Sequence, residues 1–180
     1  MNFLDVFVAT FAILATPASP QIISLHPGET VTIRFVDDQP QIEQTEPAQP
    51  MSKYDLYVLW RAETQDIPAE TKVMPPAFIT KDEGPSDSTR PVPSLIQLTM
   101  RRVPGPTAES PQNTALFISN GYGSTFAYHA VMSRDGRPKP TDVCEVPPKF
   151  PGLEQWPYPI DQLDLSDLRL VQTNGQIDCQ

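Results

Sequence analysis

SNGYGSTFAYHAV, residues 119–131, holds two glycines, three aromatics and one of the chain's two histidines. A phosphate-binding glycine loop needs a helix behind it to supply amides and a dipole. The residues after Gly123 alternate instead. Phe126, Tyr128, Ala130 and Met132 share one face, and Ala127, His129 and Val131 share the other. Leu116 and Ile118 precede the turn, so Asn120-Gly121 reads as a hairpin between two strands. Its glycines would permit positive φ, and Gly123 would add a bulge. Tyr128 is expected to pack inward and His129 to face outward.

The same period of two appears elsewhere. Val31, Ile33 and Phe35 alternate with Thr30, Thr32 and Arg34. His26-Pro27-Gly28-Glu29 before them has Pro and Gly in type II positions, giving a second expected hairpin with Ile22–Leu25. Ile96, Leu98 and Met100 mark another strand, and Leu168, Leu170 and Val171 a closing one after a turn near Ser166-Asp167. YDLYVLWRAE (54–63), with Trp60, is apolar on both faces like a central strand, and Ala77–Ile79 reads as a short edge strand. Residues 37–53 read as an acidic exposed loop. Residues 140–170 read as a long loop folded over one end of the fold.

The 22 prolines fall between these runs, which disfavours long helices and favours short strands joined by stiff loops. The expected fold is an all-β antiparallel β-sandwich, with immunoglobulin-like topology as the default.

Net charge of −9 argues against nucleic acid, which is bound through a cationic footprint. Arg134, Arg137 and Lys139 beside Asp135 read as a solvated turn rather than a nucleic-acid or heparin patch.

Val6–Ala15 is an apolar run too short to span a bilayer, with small residues after it at 16–18. Residues 1–18 are therefore expected to be a signal peptide, although no Lys or Arg precedes the run and Asp5 does. Residues 19–180 then form a single domain, periplasmic or secreted, with no transmembrane anchor in the mature chain. Cys144 and Cys179 fit a disulfide in that compartment. It would close a loop of about 36 residues, for which chain entropy gives roughly 3–4 kcal/mol.

Chemistry-bearing constellations are sparse. His26, His129, Cys144 and Met132 lack the spacing of a copper site, so no cofactor or metal is implied. Ser124 and His129 are about 16 Å apart along one strand and face opposite ways, so Ser124, His129 and Asp142 do not make a triad. Asp161, Asp164 and Asp167 suit solvation and turn capping. Trp156, Tyr158 and Phe150 among prolines are the candidate binding residues, for an envelope protein or a carbohydrate. The competing reading makes Trp156 and Tyr158 plugs for the end of the sandwich.

NGY before a tyrosine-bearing strand, then PTDVC, WPYPID and LSDLRL, resembles an uncharacterised family of small exported bacterial proteins over roughly Thr114 to Leu170. The resemblance implies export and supplies no activity, ligand or catalytic residue. The expectation is a non-enzymatic binding or structural module of the cell envelope. The alternatives are a carboxylate-based hydrolase of envelope or extracellular polysaccharide and a loop-presenting inhibitor.

Overall fold

The computed structural model describes residues 21–51, 91–104, 112–172 and 175–180. The expected signal peptide, the 54–63 strand with Trp60 and the 77–79 strand lie outside the described residues. Nine strands lie among them: β1 (Ile23–Leu25), β2 (Glu29–Val36), β3 (Gln39–Pro47), β4 (Ile96–Pro104), β5 (Gln112–Asn120), β6 (Thr125–Arg134), β7 (Arg137–Thr141), β8 (Pro151–Trp156) and β9 (Gln162–Val171). They form two antiparallel sheets, ordered β1-β9-β6-β7 and β3-β2-β4-β5-β8, packed as a β-sandwich.

Alternation puts one apolar row from each strand between the sheets. Val31, Ile33, Leu98, Met100, Leu116 and Ile118 meet Leu25, Phe126, Tyr128, Met132, Leu163 and Leu165 in one core. Phe126 and Tyr128, two apart on β6, stack with ring centroids 5.2 Å apart. The opposite face of the five-stranded sheet carries a second cluster, Val103, Ala115 and Phe117, with Met51 packed against it. β5 is consequently buried without interruption from Asn113 to Asn120.

Two connections expected to be hairpins instead cross between the sheets. The His26–Glu29 turn is type II as expected, with Gly28 at φ 95° and the Glu29 N–H donating to His26 O at 3.1 Å. Yet β1 pairs with β9, and β2 pairs with β3 and β4. Likewise β5 belongs to the five-stranded sheet and β6 to the four-stranded one, so Asn120–Ser124 is a corner. Neither Gly121 nor Gly123 has a positive φ. Gly121 is required for close approach: an added Cβ would stand 1.6 Å from Val92 O and 2.9 Å from Leu95 O.

The Asn120 side chain locks the corner. Its two amide protons are shared among Ser124 O, Val146 O and Pro147 O at 2.9–3.0 Å, and its Oδ1 accepts the Tyr122 N–H at 2.9 Å. The Tyr122 hydroxyl accepts the Phe35 N–H at 2.8 Å, beyond the point where β2 runs out of β4 to pair with.

Other expectations change for local reasons. Residues 37–53 are not all loop. Asp37 and Asp38 take φ of 50° and 60°, a type I′ turn that Asp tolerates, and β3 returns along β2 as an edge strand. Residues 140–170 contain β8 and β9 rather than one loop. Ser166-Asp167 is not a turn: Asp167 (φ 51°) and Leu168 together oppose Tyr128, a bulge within β9. Immunoglobulin-like topology is not shown by the described strands, whose two sheet orders establish the sandwich alone.

Candidate functional site

The β6–β7 hairpin turns on Asp135-Gly136, with φ of 52° and 71°, flanked by the Arg134–Arg137 pair. Along β6 the inward row runs Phe126, Tyr128, Ala130, Met132 and Arg134. Along β7 it runs Thr141, Lys139 and Arg137, as the register requires. Where this row faces the other sheet it is buried: Trp156, at the end of β8, donates its Nε1–H to Thr141 Oγ1 at 2.7 Å. Beyond Met132 the row becomes cationic and meets Tyr158, two residues past β8. The space between is a cleft of about 540 Å³ lined by Met132, Arg134, Arg137, Lys139 and Tyr158. Asp135 and Pro138 complete its rim.

The cleft's walls are held in place. The Arg134 guanidinium lies over the Tyr158 ring, 5.2 Å from its centroid. Its Nε is 3.8 Å from Asp135 Oδ2, a solvent-exposed ion pair worth less than about 1 kcal/mol. Asp161 fixes the turn: its Oδ2 accepts the Asp135 N–H at 2.8 Å, its Oδ1 is 3.2 Å from Arg102 Nη2, and its own N–H donates to Ser133 O. Among the described residues Arg137 and Lys139 have no ion-pair partner.

The three aromatic residues expected on one binding surface stand in three places. Trp156 is 5% exposed and belongs to the core, as the plug reading has it. Tyr158 forms a wall of the cleft. Phe150, 58% exposed, lies at the opposite end of β6, where its carbonyl accepts the Asn120 N–H. The sequence alone reads Arg134, Arg137 and Lys139 as a solvated turn and misses the cleft they form with Tyr158. Asp135-Gly136 was legible as a turn, but the contribution of Tyr158 from another connection was not.

Cys144 and Cys179 form the expected disulfide. Around it the tail pairs with 143–145: Val143 and Gln180 exchange N–H to O bonds of 2.8 and 2.9 Å. The Cys144 N–H donates to Glu154 Oε1 at 2.7 Å. Burial raises the Glu154 carboxyl above the usual carboxylate range, and that backbone N–H opposes the rise. Burial, then the nearby Glu154 charge, raises Tyr128 well above an ordinary phenol, and its hydroxyl has no hydrogen-bond partner among the described residues.

The remaining candidates do not converge. His129 is outward, as expected, with Nε2 2.9 Å from Gln180 Oε1 and Nδ1 3.7 Å from Asp167 Oδ2. Asp164 accepts from Ser24 Oγ and Gln162 Nε2, Asp167 pairs with Arg169, and Asp161 serves the hairpin turn. These carboxylates stand in three separate networks. No family model matches the chain, and no curated protein or solved structure matches it.

Proposed function

We propose that the protein is an exported, non-enzymatic binding module of the cell envelope that takes an anionic ligand in the β6–β7 cleft. One observation carries the reading. Arg134 and Arg137 are direct cross-strand partners, with Lys139 beside them, in a chain of net charge −9. Like charges directly opposite on a sheet destabilise it, and the chain has carboxylates enough to separate them. A bound anion offsets that repulsion. The volume suits a small ligand, and Met132 and Tyr158 supply apolar contact beside the charges.

Export is supported by the disulfide, which suits an oxidising compartment, and by the apolar N-terminal run. The test is titration with dextran sulfate and polyglutamate, two polyanions of unrelated backbone, at low and high salt. At least one should bind, weaken as salt rises, and weaken at least tenfold further in R134A/R137A/K139A. Binding to neither, or binding unaltered by the triple variant, overturns the reading.

A further inference from the structure

We infer that the anion is an acidic saccharide, an inference that rests on the anion-binding reading above. The outer edge of β7 discriminates among anions by its backbone groups. The two-residue turn makes Arg134–Arg137 a hydrogen-bonded pair, and alternation makes Met132–Lys139 and Ala130–Thr141 the next two. Pro138 and Pro140 therefore occupy the non-hydrogen-bonded positions, where backbone groups point away from β6. Each offers a carbonyl there, and neither has an N–H. Among the described strands β7 is the last of its sheet, and both prolines are exposed. Pro138 lines the cleft as well, so the cleft opens onto this edge.

Cations on the inner face thus adjoin a row of acceptors without donors. An extended peptide adding to a strand edge needs donors and acceptors in alternation, and this edge withholds every donor. A phosphodiester chain presents acceptor oxygens to acceptor carbonyls. A saccharide bearing carboxylate or sulfate groups matches both sets. Its hydroxyls donate to the Pro138 and Pro140 carbonyls, and its acid groups meet Arg134, Arg137 and Lys139. Arg137 and Lys139 are two apart on one strand, about 7 Å, which lets acid groups on successive sugars be held at once.

The experiment is calorimetric titration of the full chain, disulfide intact, with trigalacturonate, maltotriose, triglutamate and trithymidylate at one low ionic strength. Trigalacturonate should bind at least tenfold more tightly than each of the others. In P138A/P140A, checked by its thermal melt, two N–H donors return to the edge, and the gap over triglutamate should narrow at least threefold. Equal affinity for trigalacturonate and triglutamate, or an unchanged gap in the folded double variant, overturns the saccharide inference and leaves the anion cleft standing. Tighter binding of trithymidylate or maltotriose also overturns it. No binding of any of the anions removes the anion reading together with the inference.

Discussion

β6 begins at one end of the sandwich and finishes at the other, and its two ends are built on opposite terms. At Thr125 it leaves a corner tied by its Asn120, Gly121 and Tyr122 contacts: Asn120 serves three carbonyls, Gly121 admits the 92–95 backbone, and Tyr122 caps β2. At Arg134 it enters a tip where the charges outnumber their partners and like faces like. A buried polar group left unpaired costs about 1–3 kcal/mol, which is the penalty the four hydrogen bonds of the Asn120 side chain avoid. An exposed charge carries no such penalty, so the tip tolerates Arg137 and Lys139 without ion-pair partners among the described residues. The bonded corner lies at one end of the strand and the proposed recognition cleft at the other.

The contrast can be broken at either end. The largest effect is expected from Gly121→Ala, whose new Cβ collides with backbone rather than with a flexible side chain. Relief requires moving 92–95 away and losing the bonds from Ser94 N–H to Gly121 O and from Gly121 N–H to Leu95 O. Urea unfolding should show a loss of at least about 3 kcal/mol. A variant as stable as the parent would show that the corner is not the rigid end.

A smaller effect is expected between the two ends, at Glu154. Its carboxyl is raised in the folded state, so the stability it contributes is present below its unfolded value, near 4.3, and is lost as pH climbs through the folded one. The parent should therefore lose melting temperature through this group as pH goes from about 4 towards 7, and E154Q, which cannot ionise, should show a flatter profile. Parallel profiles would remove Glu154 as the source. The smallest effect belongs to the tip. R134A/R137A/K139A should change unfolding free energy by no more than about 0.5 kcal/mol, with relief of repulsion offsetting the lost Arg134–Tyr158 contact. A loss above about 2 kcal/mol would make the cations structural and dissolve the contrast.

These differences explain which parts of the molecule were legible beforehand. Alternation located β2, β4, β5 and β6, because a strand with one apolar face must write that face every second residue, and only the end of β9, whose bulge at Asp167 read as a turn. It could not tell whether consecutive strands share a sheet. Asn120-Gly121 and Pro27-Gly28 satisfy local turn chemistry whether the chain turns back on its neighbour or crosses to the other layer, and that choice is made by distant partners such as Val92 and Val146. β3 was hidden because an edge strand exposed on both faces has no apolar row to write. β7 was hidden by Pro138 and Pro140, which an outer edge accepts and an inner strand does not. The cleft was hidden for a related reason: Arg134, Arg137 and Lys139 are near in sequence, but Tyr158 reaches them only because β8 ends at Trp156.

The staple between Cys144 and Cys179 also governs how the molecule bears load. A pull applied beyond Cys179 passes through the sulfurs to Cys144 and does not travel along β9 and β8. The chain enclosed between the cysteines is thereby shielded from tension, and β9 cannot be peeled from β6 starting at its C-terminal end. Under oxidising conditions such a pull is felt first at the end of β7, where Thr141 pairs with Ala130 of β6. Reduction would move that first yielding point to the pairing of Thr125 with Val171, and with it the order in which the sheet comes apart.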